Sequence, residues 1–83
     1  SEETGIDRGG RAAPGAIHLS GQFLTGFRVG EFARIEELDA QGRVRRKLWE
    51  GHVVGESLQL PREPLPFGRI LRVDRAGSSE IFQ

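Results

Sequence analysis

The chain has 83 residues, of which 36% are hydrophobic and 29% are charged, and its twelve Lys and Arg balance its twelve Asp and Glu. This length allows one domain with a modest core, and no apolar run approaches the roughly 20 residues of a membrane-spanning helix. The neutral balance argues against a strongly basic nucleic-acid-binding or lipid-binding protein. Cysteine is absent, which excludes disulfides, thiolate metal ligands and thiol nucleophiles.

The first fifteen residues, SEETGIDRGGRAAPG, contain four glycines and only one large apolar residue, Ile6. We interpret them as a flexible leader in front of a single β-domain over residues 16–83. The RGGR segment at Arg8 to Arg11 is similar to RNA-binding Arg-Gly tracts, but one copy supplies few phosphate contacts. The chain begins at Ser1 and contains no methionine, which suggests a processed chain or an excised domain.

From Ala16 onward, short apolar stretches alternate with turn residues, a pattern typical of strands. AIHLS (16–20) predicts a strand with Ile17 and Leu19 on one face, and QFLTGF (22–27) a second strand or a bend at Gly26. The later candidates are GEFARIEEL (30–38), RVRRKLW (43–49), SLQLP (57–61), GRILRVD (68–74) and SEIF (79–82). In the first of these, apolar residues spaced by three also permit a helix, but the segment is short and lacks a good N-cap.

About seven short strands, twelve glycines and regular turn signals predict an all-β fold. We expect a compact antiparallel β-sandwich of the immunoglobulin-like kind, with a small SH3-like or OB-like barrel as the alternative. The segment LPREPLPFG (60–68) holds three of the four prolines and includes the P-x-x-P spacing of polyproline ligands. A rigid crossover between strands is the favoured interpretation, because proline removes ladder donors.

Residues 43–47 contain four basic residues, Arg43, Arg45, Arg46 and Lys47. A hairpin would place acidic partners opposite them. Asp39 and Gly42 suit the two ends of a turn, because Asp accepts backbone hydrogen bonds and Gly adopts positive φ. The simplest register then gives three cross-strand pairs: Leu38 with Val44, Glu37 with Arg45, and Glu36 with Arg46. Acids therefore face bases, which favours a hairpin over a nucleic-acid patch.

No catalytic or metal-binding motif is apparent. His18 and His52 are the only histidines, and neither has a standard metal-ligand spacing. Glu36 and Glu37 are adjacent, so a strand would point them to opposite faces. No serine lies in a nucleophile elbow, and the glycines form no phosphate-binding loop. We therefore predict a protein without catalytic activity, cofactor or metal.

Three segments together resemble small bacterial immunoglobulin-like modules: LDAQGRV (38–44), LQLP (58–61) and LPFGRILRVDRAG (65–77). The similar families are the C-terminal sorting domains of type IX secretion and the β-domain of the flagellar hook-capping protein. Gly42 and Arg43 match their D-x-x-G-R-x-V turn, and Gly68 matches the glycine before their penultimate strand. The resemblance implies a β-sandwich fold and a non-catalytic exported module.

We therefore expect a protein-binding or assembly module of an exported bacterial protein, periplasmic or extracellular, that acts through a strand edge or a sheet face. The predicted binding residues are Arg34, Arg45, Lys47 and Trp49. One alternative is a small barrel that binds single-stranded nucleic acid through residues 43–47. Another is an SH3-like accessory domain of a larger enzyme or transporter, which leaves a cytoplasmic location open.

Overall fold

The computed structural model describes residues 15–61 and 69–83 of the chain. Within these ranges there are seven strands and no helix, which confirms the all-β prediction. The strands are β1 (His18–Ser20), β2 (Phe23–Thr25), β3 (Phe32–Leu38), β4 (Val44–His52), β5 (Ser57–Gln59), β6 (Ile70–Arg75) and β7 (Ser78–Phe82). Residues 1–14 of the predicted leader and residues 62–68 of the predicted proline-rich crossover lie outside the described ranges.

The strands form two antiparallel sheets, one in the order β1-β2-β5 and the other in the order β4-β3-β6-β7. The chain changes sheet after β2, after β4 and again after β5. With the strands labelled A, B, C, C′, E, F and G in chain order, this is the arrangement of an immunoglobulin-like sandwich. Two separate sheets are present in the described part of the chain, rather than the closed barrel of the alternative prediction.

The core lies between the two sheets and draws its side chains from both. The four-stranded sheet contributes alternate residues of its central strands, such as Ile35 of β3 and Val73 of β6. The three-stranded sheet contributes Leu24 of β2, and Ile17 and Leu60 lie beside its strands. Successive strand residues point to opposite faces, so the residues between these apolar positions, many of them charged, lie on the outer faces of the sheets.

Residues 32–38 are a strand although their apolar residues are spaced by three. Both edges of β3 are paired, one with β4 and the other with β6. Ala33 and Ile35 are fully buried, while the alternate residues Arg34 and Glu36 are only partly buried. The period of two therefore prevails over the helical spacing, because both neighbouring strands supply hydrogen bonds.

Gly26 ends β2 with a bend that admits no side chain. Its φ is +108°, and a Cβ atom at this position would lie 2.2 Å from the carbonyl oxygen of Ala16. The amides of Gly26 and Phe27 both donate to the carbonyl oxygen of Glu56, at 3.0 and 3.1 Å. The bend directs the chain out of the three-stranded sheet and towards β3.

Candidate functional site

The turn between β3 and β4 is organised by the Asp39 carboxylate. Its Oδ1 accepts from the backbone amides of Gln41 and Arg43 at 2.9 and 2.8 Å, and its Oδ2 accepts from Arg43 Nε at 3.0 Å. These contacts, led by the Arg43 amide, lower the pKa of Asp39. Gly42 has a φ of +85°. Both predicted turn residues are confirmed.

The hairpin register departs from the simplest one because β4 contains two bulges. Leu38 faces Val44 as predicted, whereas Glu37 faces Arg46 and Glu36 faces Lys47. The predicted pairs of Glu37 with Arg45 and of Glu36 with Arg46 were therefore wrong. The two residues of β4 that have no partner on β3 are Arg45 and Leu48. A bulge bends its strand and interrupts the ladder, so the outer edge of β4 is irregular.

The first bulge brings Arg46 onto the inner face of the sheet, beside Glu37. Arg46 Nε donates to Glu37 Oε1 at 2.9 Å, and Glu37 is only 3% exposed. Glu37 is the only buried charged residue of the described chain. A buried carboxylate is tolerated only when it is paired, so this ion pair fixes the register of the hairpin.

The outer face of the four-stranded sheet carries a network of alternating charges. Arg72 donates to Glu36 at 2.6 Å and lies 3.4 Å from Asp74, which is also 3.5 Å from Arg34. Towards β4, Lys47 Nζ donates to Glu50 at 2.7 Å. The hydrogen bond to Glu36 raises the pKa of Arg72, and the hydrogen bond from Lys47 lowers the pKa of Glu50. This face is highly charged, and its charges are compensated locally.

The structure distributes the four predicted binding residues over different surfaces. Arg34 and Lys47 lie on the outer face, each in an ion pair. Trp49 faces Ile35 on the inner side and packs, half-buried, against the core. Arg45, in the first bulge, is exposed and makes no ion pair with any described residue. The four side chains do not form one continuous surface.

At the opposite end of the sandwich, a cavity of about 370 Å³ is lined by Arg28, Glu31, Arg75, Ala76 and Ser78. Arg75 donates to both oxygens of Glu31, at 2.9 and 2.8 Å, and to the carbonyl oxygen of Gly15 at 2.9 Å. Its guanidinium also lies 5.7 Å from the centre of the Phe27 ring. Arg75 therefore links the end of β6 to Glu31, just before β3, and to Gly15, before β1.

The sequence analysis placed the binding surface on the charged hairpin and predicted SEIF (79–82) only as a strand. β7 is an edge strand: it pairs with β6 over five residues without a bulge, and no described strand pairs with its other side. Of the other edge strands, β1 and β5 have three residues each and β4 is bulged. Within the described chain, β7 is the only regular edge longer than three residues.

The register shows which backbone groups of β7 point outwards. A two-residue turn joins Arg75 to Ser78, so these two residues form a hydrogen-bonded pair. Hydrogen-bonded and non-hydrogen-bonded pairs alternate along an antiparallel ladder. The amides and carbonyls of Ser79 and Ile81 therefore point away from β6. Ile81 also exposes 56% of its surface on the outer face, opposite Arg72.

Comparison of the chain with protein-family models, with characterised proteins and with solved structures finds no match in any of the three. The resemblance to bacterial sorting and hook-capping modules therefore stays a prediction. Within residues 15–61 and 69–83, no three His, Cys, Asp or Glu side chains are grouped so that they could hold a metal ion. The same residues include no helix long and apolar enough to cross a membrane.

Proposed function

We propose that the domain is a non-catalytic protein-binding module that takes up an extended segment of another protein alongside β7. The observation that carries this proposal is the regular edge of β7, with which no described strand pairs and which has two outward amides and two outward carbonyls at Ser79 and Ile81. An incoming strand completes these hydrogen bonds, and its side chains alternate between the two faces of the sheet.

The energetics suit a modest, selective contact. Four added hydrogen bonds contribute about 0.5–1.5 kcal/mol each, and burial of the exposed Ile81 side chain adds about 1–2 kcal/mol. Ordering the docked segment offsets part of this sum. The exported, bacterial and accessory setting of the module is part of the proposal and rests on the resemblance to sorting and hook-capping modules.

The other long edge is less suited to strand addition. The bulges of β4 at Arg45 and Leu48 interrupt the ladder. This strand also carries three consecutive basic residues, Arg45, Arg46 and Lys47. Natural sheets use bulges and edge lysines or arginines to prevent unwanted strand pairing. The contrast between the two edges supports β7 as the docking edge.

The test is a selection of binding peptides followed by mapping of their site. Decapeptides selected from a displayed random library against the domain are titrated into labelled protein, and amide chemical shifts are recorded. The largest changes are expected at Ser79 and Ile81, with slower hydrogen exchange of both amides on binding. An unsuccessful selection, or shifts confined to other surfaces, would contradict the proposal.

Two variants form a matched pair for this test. Ile81 and Val44 are apolar residues that lie on opposite edge strands with similar exposed fractions, 56% and 48%. Ile81→Lys places a charge on the docking edge and is expected to abolish peptide binding, because edge lysines oppose strand pairing. Val44→Lys makes the same chemical change on β4 and is expected to leave binding intact.

A further inference from the structure

Glu80, in the middle of β7, differs from the other acidic residues of the strands. The strands contain five acidic side chains, and four of them form ion pairs: Glu36 with Arg72, Glu37 with Arg46, Glu50 with Lys47, and Asp74 with Arg34. Glu80 makes no ion pair with any described residue and is exposed. The one strand acid without an ion pair to a described residue therefore lies on the edge with which no described strand pairs.

The neighbours of Glu80 define what a docked strand would meet. Glu80 faces Val73, and Phe82 faces Leu71. The side chains of Glu80 and Phe82 therefore lie on the inner face of the sheet. Phe82 is half-buried against the core. Ile81, between them in sequence, lies on the outer face opposite Arg72. The Arg72 side chain is already paired with Glu36. At this position a docked strand would therefore meet the apolar side chain of Ile81.

We infer that the segment docked on β7 carries two apolar residues followed or preceded by a Lys or Arg, with the base opposite Glu80. The two apolar residues lie opposite Phe82 and Ile81, because successive residues of a strand point to opposite faces. A base opposite Glu80 forms a cross-strand ion pair, which fixes the register of the segment. This inference rests on the proposed strand addition and adds the chemistry of the partner.

Pairing of β7 with β7 of a second copy does not supply this pattern. Two β7 strands related by a two-fold axis at Glu80 place the two carboxylates opposite each other, which is destabilising. A two-fold axis at Ile81 places Glu80 opposite Phe82 of the other copy. Neither arrangement provides a base, so the charge of Glu80 disfavours pairing of two β7 strands and favours a segment that carries a base.

The experiment uses three capped peptides, TTVVKVTT and its two relatives with Gln or Glu in place of the lysine. Each is titrated into labelled wild-type protein, and the shifts at Ser79 and Ile81 give the affinity. A cross-strand ion pair of about 0.2–1 kcal/mol corresponds to roughly a 1.5- to fivefold preference. We expect the affinity to decrease in the order Lys, Gln, Glu peptide for the wild type, and in the reverse order for Glu80→Lys.

Arg45→Glu is the matched control, because Arg45 is the one Lys or Arg of the strands that makes no ion pair with a described residue, and it lies on the opposite edge. It is expected to leave the order of the three peptides unchanged. Peptides that bind at Ser79 and Ile81 without a charge preference would overturn this inference and leave the proposed function standing. Absence of shifts at these amides with all three peptides, or sedimentation of the wild type as a dimer that Ile81→Lys dissociates, would overturn both.

Discussion

Arg46 reaches Glu37 across the β3–β4 ladder, with 2.9 Å between Nε and Oε1, although the unbulged register would have placed Arg45 opposite this acid. The Glu37 side chain is 4% exposed and that of Arg46 39%. One end of the ion pair is therefore inside the sandwich and the other reaches the solvent. Removal of the Arg46 side chain would leave the largely buried Glu37 carboxylate without this ion pair.

Arg46→Ala is expected to lower the free energy of unfolding by about 3 kcal/mol, because it leaves a buried carboxylate unpaired. Arg45→Ala, at the adjacent position, is expected to change it by less than about 0.5 kcal/mol, as is usual for exposed substitutions. Urea denaturation followed by Trp49 fluorescence measures both. Equal destabilisation by the two variants would contradict the bulged register.

The strands were predictable because alternation and turn residues act locally. Asp39 and Gly42 fixed the turn, and the alternation of Ala33 and Ile35 with charged residues marked the buried face of β3. The bulges were not predictable, because Glu36 and Glu37 meet a base in every nearby register. Local charge pairing cannot select among these registers, and the burial of Glu37 depends on packing across both sheets.

The binding surface was harder to predict than the fold. Charge density pointed to Arg34, Arg45 and Lys47, but Arg34 is compensated by Asp74 of β6, distant in sequence, and Lys47 by Glu50 on its own strand. Trp49 faces inwards, because it lies opposite Ile35 beyond the second bulge. The exposure of the edge of β7 follows from the order of strands in the sheet, which the residues of β7 do not encode locally.

Gly26→Ala is expected to be among the most destabilising single-methyl additions. Its φ of +108° is unfavourable for an L-residue, and the added Cβ would lie 2.2 Å from the Ala16 carbonyl oxygen. Gly42→Ala is the control, with a φ of +85° and open space around the Cβ position. The control should cost about 1–2 kcal/mol for its left-handed backbone, and Gly26→Ala about 1–3 kcal/mol more for the steric clash.

Denaturant midpoints of both glycine variants give this difference directly. A clash between Cβ and a backbone carbonyl cannot be relieved by a side-chain rotation, so the segment at Ala16 or the bend itself must move. Loss of the hydrogen bonds from Gly26 and Phe27 to Glu56 should appear as faster exchange of these two amides. Similar midpoints for the two variants would show that the approach of Gly26 to Ala16 is not required by the fold.

Stability should fall in acid partly through Glu31. The Arg75 side-chain hydrogen bonds lower the pKa of Glu31, and the Arg28 amide, which donates at 2.6 Å, adds to this effect. The pKa of Glu31 is lower in the folded than in the unfolded protein. The stabilisation is therefore complete above about pH 4.3, the ordinary pKa of glutamate, and is lost as the pH falls through the folded pKa. Unfolding free energies from pH 7 to 2 measure the loss.

Glu31→Gln should reduce the slope of stability with pH on this acid limb, since the variant has no proton to take up at position 31. Glu80→Gln serves as the control, because Glu80 makes no ion pair with any described residue. Its acid limb should follow that of the wild type more closely than the limb of Glu31→Gln does. Indistinguishable limbs for wild type and Glu31→Gln would show that the contact with Arg75 does not contribute to acid stability.

Single-stranded DNA and RNA should bind weakly, if at all, at physiological salt. Three of the four bases in residues 43–47 are in ion pairs, Arg43 with Asp39, Arg46 with Glu37 and Lys47 with Glu50. A phosphate contact with any of these three bases would have to displace an acid already in place, while affinity for nucleic acid depends on the number of phosphates neutralised. Titration of labelled protein with short oligonucleotides at about 20 and 150 mM salt tests this, since a strong, salt-sensitive response confined to residues 43–49 would support the nucleic-acid alternative.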